Sequence, residues 1–397
     1  MSKVYPFKAL RPNTKVLNNF TVSFAESEAR EELLERIKHF PENFLQIHKP
    51  HLIAGGEMSA NEILKASKNS LKKYMDEGVL LEDPKPCIYI YMQINGSHTY
   101  TGIIALASID EYKEGKIKKH ELTRIEKENK MLDYFERVHI NGSPVLLTYP
   151  DDASIDTLIS SLTRGKPEFN YTSNDEIEHI LWRVCEPENI EALAKHYAKI
   201  KNLYIADGHH RCAAYSRLQK PGEGFMAYLV PAGQLNIYGF HRLITDLDGL
   251  KRKKVLHELK EKFLVKKVEG EFAPSAPGVI YMFMKKKWYS ITIPEALKKH
   301  KNTRENLDVS ILDTYILHDI LKIQDSRSST KIQYVNGNTP LERLAEAVLS
   351  KRARIAFALY PVHMSDVIKV SDEGMTMPPK STWIEPKMRI GLVIQKW

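Results

Sequence analysis

Long apolar runs are missing from this 397-residue sequence. No stretch approaches the roughly 20 consecutive apolar residues that a membrane-spanning helix needs. The most hydrophobic windows, such as residues 279–284, have the length of a strand. The opening Met1-Ser2-Lys3-Val4-Tyr5-Pro6-Phe7 lacks the apolar core of a secretory signal. Cysteine is scarce too: Cys87, Cys185 and Cys212 are odd in number, far apart and in no metal or redox spacing. That pattern speaks against a disulfide framework and for a reducing compartment. A soluble cytoplasmic protein with no membrane partner is predicted. Low-complexity tracts and internal repeats are absent as well. So are a dinucleotide fingerprint, a serine-hydrolase elbow and, despite 15 histidines, any zinc-site spacing.

What is present is an ordinary globular composition. The chain is 43% hydrophobic and 27% charged, enough apolar material for two or three packed units. Its net charge of +8 comes partly from short runs at residues 251–254, 285–287 and 298–301. A basic surface attracts phosphorylated metabolites as readily as nucleic acid, so charge does not choose between them. The runs read as solvated helix faces and strand ends.

The periodicities predict a mixed-sheet α/β, or α+β, protein. Leu33, Leu34, Ile37 and Phe40 recur at helical spacing. Ser59 and Glu62 form a capping box for a helix running to about Asp76 and stopping at Gly78. The β-rich run from Cys87 to Ile94, the turn Asn95-Gly96 and the return from Thr99 to Leu106 predict a hairpin. Further on, strands are expected at Ile180–Val184, Leu203–Ala206, Met226–Val230 and Gln234–Phe240, with a helix from Pro187 to Ile200. Helices are also expected at Leu250–Phe263, Leu307–Leu321 and Leu341–Ser350, with strands at Val145–Tyr149, Val279–Met284 and Ile355–Leu359. The irregular alternation and the hairpin disfavour a doubly wound parallel sheet. The polar stretch from Thr163 to Asn174 suggests a boundary. The reading divides the chain into residues 1–165, 166–250 and 251–397.

The strongest chemical signal is Asp207-Gly208-His209-His210-Arg211, where a buried strand ends and a helix begins. Gly208 permits a sharp turn, and the free amides of a helix start can donate to an anion. Arg211 offers a planar fork of donors that fits phosphate. His209 and His210 add donors, and Asp207 could hold a magnesium ion between phosphates. A second polar cluster, from Lys118 to Thr123, offers His120 and Glu121 as acid-base groups and Thr123 as a ligand. A third, from Met377 to Thr382, sets Lys380, Ser381 and Thr382 behind two stiffening prolines, an arrangement suited to phosphate. It is no P-loop, because the glycine pair is missing. Arg11 and Arg242 are weaker phosphate-binding candidates.

These motifs resemble, essentially from end to end, the family known as domain of unknown function 1015. The resemblance rests on residues 7–12 (Phe-Lys-Ala-Leu-Arg-Pro), Tyr112 with Lys118 to Thr123, the run Ile205 to Arg211, and His241-Arg242. It continues through Leu307-Asp308-Val309-Ser310 and Met377 to Thr382 before Pro386-Lys387. One departure is the family's Pro-Tyr-Asp segment, which is absent from residues 16–28, with Phe24-Ala25-Glu26 roughly in its place. The Asp-Gly-His-His-Arg turn also resembles that of the free serine kinases of the ParB/sulfiredoxin superfamily. The resemblance implies a ParB/sulfiredoxin-like core carrying the turn, with ATP or ADP as donor, magnesium, and a separate glutamate that deprotonates the serine hydroxyl. Such a base lies upstream of the turn, which points to Glu186 or Glu188, with Glu121 a competitor from its family motif. Sulfiredoxins carry cysteine where His209 stands. Cys212 falls beyond the arginine, so their chemistry is disfavoured.

The reading that follows is a nucleotide-dependent kinase of a small hydroxylated metabolite, free L-serine first. Its partners are a nucleotide and a small-molecule substrate, and the sequence leaves the oligomeric state open. The segment from Met377 to Thr382 is expected to reach the Asp207 turn, with Lys380 supplying a mobile charge and Ser381 and Thr382 binding phosphate oxygens. Two rivals are a ParB-related nucleic-acid-binding or nuclease-like protein and a catalytically inactive nucleotide sensor. Against nucleic acid, the chain shows neither a helix-turn-helix nor a dominant basic stripe.

Overall fold

The hairpin predicted around Asn95-Gly96 lies in the middle of the largest sheet. Asn95 pairs with His98 across a two-residue turn, and Gly96 takes φ 57°, a conformation that glycine adopts without cost. The computed structural model describes residues 2–23, 30–54, 56–218, 224–270 and 272–397. They form a mixed α/β protein of two compact units. The first unit comprises residues 1–118, 122–235 and 386–397. The second comprises residues 119–121 and 236–385.

In the first unit, nine strands form one sheet among the described residues. They are β1 (Val4–Tyr5), β2 (Ile88–Asn95), β3 (His98–Ser108), β4 (Ile117–Lys118), β5 (Val145–Tyr149), β6 (Phe169–Thr172), β7 (Glu178–Val184), β8 (Leu203–Asp207) and β9 (Gly224–Pro231). Their order is β4-β8-β5-β9-β3-β2-β7-β6, with β1 on β3. The pairs β4·β8 and β5·β9 are parallel and the others antiparallel. Both faces are covered, which is why Ile88-Tyr89-Ile90-Tyr91 reads as an unbroken apolar run and is fully buried. Phe135 and Tyr197, from the helices Ile125–Val138 and Pro187–Tyr197, join one core with Leu147, Ile205 and Ala227 of the sheet.

A smaller sheet of the same unit, in the order Leu80–Glu82, Ala9–Pro12, Ile394–Lys396, Ile140–Asn141, ties the C-terminal strand to the N-terminal segment. The Ser59 capping box forms as read: Glu62 N donates to Ser59 Oγ at 3.3 Å, and Ser59 N donates to Glu62 Oε2 at 2.8 Å.

The second unit is built on a six-stranded sheet in the order Leu264–Val268, Lys287–Thr292, Val279–Met284, Ile355–Ala358, Phe240–Ile244, Ile332–Asn336. All its pairings are antiparallel. Val255 and Leu259 of the helix Arg252–Lys262, and Val367 and Val370 of the helix Met364–Asp372, pack into its core.

Several expectations are corrected. The cysteines are not all unpaired: Cys87 and Cys185 are joined, with Cα atoms 4.4 Å apart. Because Ile88 pairs with Val184, the residues one step beyond each strand end face one another. A sequence separation of 98 gave no hint of that contact, and the cysteines therefore no longer argue for a reducing compartment. The expected strand Gln234–Phe240 is broken at Gly239 into Asn236–Tyr238 and Phe240–Ile244, which join different sheets. The polar stretch taken for a boundary holds β6 and lies inside the first unit, together with the hairpin and the Asp207 turn. The expected helix from Leu307 begins as a short α-helical turn, Asp308–Ile311, and continues as a π-helix, Leu312–His318. Among the described residues no helix is long and apolar enough to cross a membrane. Phe24-Ala25-Glu26 lie outside the described residues.

Candidate functional site

Asp207 is the last residue of β8, an apolar strand whose Leu203 to Ile205 are almost wholly buried. The next residue, Gly208, has φ 101°, and a Cβ there would stand 3.0 Å from the Arg211 guanidinium. Only glycine lets the chain turn here into the helix His209–Tyr215 and keep Arg211 close. Arg211 Nη2 donates to Asp207 Oδ2 at 2.6 Å. Its Nη1 donates to Ser143 Oγ at 2.6 Å and to the carbonyls of Ser143 at 3.1 Å and Pro144 at 2.5 Å. The guanidinium thus ties the turn to the loop entering β5. His210 Nε2 accepts from the Arg124 amide at 3.1 Å, and His209 is buried.

A residue absent from the sequence candidates completes the cluster. Lys387 Nζ donates to the second oxygen of Asp207, Oδ1, at 2.9 Å. Its place is fixed by what surrounds it. Arg389 is buried and donates to Thr21 Oγ1 at 2.9 Å, to Thr21 O at 2.8 Å and to Asp175 Oδ1 at 3.0 Å. Ile390 forms a bridge with Val22, and Gly391 N donates to Gly142 O at 2.8 Å, one residue before Ser143. Ser143, Pro144, Leu146, Asp207, Arg211, Pro386, Lys387 and Met388 enclose a cavity of about 20 Å³, room for about one water.

Two cations, Arg211 and Lys387, bond the one carboxylate of Asp207. Burial alone pushes the Asp207 carboxyl up, but Lys387 and Arg211 together override it and hold it at about 2. His48, whose ring stacks on Phe44 at 5.9 Å, is pushed down to about 3 by burial, Lys49 and Arg211. It therefore stays neutral beside the cations. Burial pushes the Cys212 thiol far up, and the residue is wholly enclosed, so it cannot act as a nucleophile. Among the described residues no group of three or more His, Cys, Asp or Glu side chains could hold a metal ion. Asp207 alone, with both oxygens bonded to cations, does not fit a resident magnesium ion.

The other sequence candidates of the first unit stand elsewhere. Glu186 and Glu188 open the helix Pro187–Tyr197, and Glu186 meets Lys85 at 3.1 Å on the exposed surface. The strand that leads to them, β7, is five places from β8 in the sheet, about 24 Å along it at some 4.8 Å per strand. Arg11 is buried in an ionic network. It holds Asp83 through two bonds, Nε to Oδ2 at 2.9 Å and Nη2 to Oδ1 at 2.8 Å, and Arg183 Nη1 shares Asp83 Oδ1 at 3.0 Å.

In the second unit, five of the predicted residues come together. Thr382 Oγ1 lies 3.3 Å from His120 Nε2, and Met377 N donates to His120 O at 2.8 Å. Arg242 Nη2 donates to Lys380 O at 3.2 Å, and Ser381 Oγ donates to Pro378 O at 2.7 Å. Lys380 Nζ stands 5.1 Å above the Phe240 ring, and the Arg242 guanidinium 5.4 Å from the Tyr334 ring. Burial lowers Arg242 to about 10, which still leaves it charged at neutral pH. Glu121 is the neighbour of His120 in this unit and is partly exposed. The signal that could have found Lys387 was the pair Pro386-Lys387 at the end of the family motifs.

A family model described as "Protein of unknown function (DUF1015)" matches residues 4–314. No curated protein matches the chain. Among solved structures, SbnI with a C-terminal truncation from Staphylococcus aureus is 14% identical, with a TM-score of 0.39 over 72% of this chain and 84% of that one. A free serine kinase in complex with AMP is 16% identical, with a TM-score of 0.34 over 76% of this chain and 92% of that one. A conserved hypothetical protein from Pyrococcus furiosus is 15% identical, with a TM-score of 0.32 over 77% and 95%.

Proposed function

We propose for this chain, which belongs to the DUF1015 family, a nucleotide-dependent kinase activity toward a small hydroxylated metabolite, with free L-serine the favoured acceptor. The observation that carries this reading is Lys387 and Arg211 held on the two oxygens of Asp207 at a strand–turn–helix junction. Phosphoryl transfer asks a protein for positioning and for neutralisation of charge spread over the phosphoryl oxygens, and two cations on separate chain segments supply both. Nucleotide phosphates entering here take up further N–H donors of the same two cations, which stay bonded to Asp207. The acceptor hydroxyl oxygen then attacks the terminal phosphorus of ATP or ADP, and the bond to the bridging oxygen breaks. The hydroxyl proton passes to a base. Asp207, held at about 2, is too weak a base for that role at neutral pH. Its part is to orient the cations. Magnesium in this reaction arrives with the nucleotide, held chiefly by its phosphates.

One observation favours a second reading, a nucleotide sensor that performs no transfer: Glu186 and Glu188 are remote from Asp207 in the sheet. The test incubates the protein with magnesium, ATP or ADP and a pool of hydroxylated metabolites including L-serine, followed by phosphorus NMR. A new phosphomonoester supports the kinase. Tight nucleotide binding with no phosphomonoester supports the sensor.

A further inference from the structure

The segment Leu307-Asp308-Val309-Ser310, which takes no part in the proposed kinase chemistry, borders a cavity of about 250 Å³ within the second unit. Its walls are partly apolar, through Pro277, Leu307 and Val362, and its charged groups are unevenly satisfied. Asp308 is buried, and Oδ2 accepts from the Gly278 amide at 2.6 Å. Lys298 Nζ approaches Asp308 Oδ1 only to 3.5 Å and makes no hydrogen bond among the described residues. Gly278 has φ 98° and no side chain, and a Cβ there would stand 3.1 Å from that Nζ, so glycine leaves the ammonium its room. Asp366 lines the cavity as well. Its carboxylate has no ion-pair or hydrogen-bond partner among the described residues. A place in the first turn of the helix Met364–Asp372 suits an acid there, but does not account for the cavity it lines.

We infer that this cavity binds a small zwitterion of the amino-acid class, its carboxylate on Lys298, its ammonium on Asp366 and its side chain against the apolar wall. The volume of about 250 Å³ accommodates such a ligand, and the long-paired Lys298 and Asp366, unpaired among the described residues, have opposite sign. A simple anion would satisfy Lys298 and leave Asp366 unanswered, and a simple cation would do the reverse. This site is independent of the kinase reading.

The test is titration calorimetry on the full chain without nucleotide, so its outcome does not depend on phosphoryl transfer. The probes are glycine, L-alanine and L-serine, with 2-amino-1-propanol and L-lactate as partners lacking one charge. At least one amino acid should bind, and loss of either ligand charge should weaken binding tenfold or more. Lys298→Met and Asp366→Asn should each weaken it tenfold or more while the melting temperature stays in place. If removing the ammonium beside buried Asp308 unfolds the protein, Asp366→Asn alone decides, and normal binding by that folded variant overturns the inference. The inference is overturned if no amino acid binds at millimolar concentration, if the uncharged-end analogues bind as well as the amino acid, or if both folded variants bind normally.

Discussion

Lys387 and Asp207 are 180 residues apart and share a hydrogen bond of 2.9 Å. That contact turns a strand–helix turn into a charged centre. Lys387→Met should lower nucleotide affinity by about 10- to 100-fold, the range for one lost bond to a charged group. Calorimetric titration with ATP and ADP measures it. Affinity unchanged in the variant removes Lys387 from the site.

Asp207 gives the cluster a pH signature. Its carboxyl is held at about 2, below the ordinary 3.8. A group depressed on folding contributes stability that is fully present above its unfolded value and is lost as the pH falls through the folded one. The stability advantage of the wild type over Asp207→Asn should therefore be constant above about pH 4 and shrink towards pH 2. Thermal melts of both proteins across that window check the sign. An advantage that grows as the pH falls contradicts the ion cluster.

Cys212→Ser should leave phosphoryl transfer within about twofold of wild type, because the enclosed thiol cannot ionise. Rates and melting curves separate chemistry from packing. A large loss of rate in a folded variant reopens thiol chemistry.

Reduction of the Cys87–Cys185 bond should cost about 2–4 kcal/mol of stability, the usual range for a bond closing a long loop. Chemical denaturation with and without reductant measures this, and non-reducing peptide mapping identifies the linked pair. Equal stability in both conditions contradicts a structural role for the bond.

The parts of the fold legible in the sequence were those written locally. The hairpin has its Asn95-Gly96 turn, the helix from Ala60 its Ser59–Glu62 box, and the Asp207 turn its glycine between an apolar strand and a helix. Pairings between distant strands leave no local trace. Nothing near Cys87 announces Cys185, and nothing near Asp207 announces Lys387. Gly239 shows the same limit from the other side: seven β-rich residues read as one strand, yet the chain changes sheets at the glycine. Glu186 looked like a base because it precedes the turn in sequence. The strand order sets β7 five places from β8, and sequence order carries no information about that distance.

The central claim, that the Asp207 turn is a phosphoryl-transfer centre, is tested most directly by the rate of phosphoserine formation in wild type and Arg211→Ala. Both are measured with magnesium and L-serine at saturating nucleotide. Removing the guanidinium that bonds Asp207 and the Ser143–Pro144 carbonyls should lower the rate by about 100-fold or more, as loss of a transition-state donor does. A folded Arg211→Ala protein that forms phosphoserine at the wild-type rate would contradict the account.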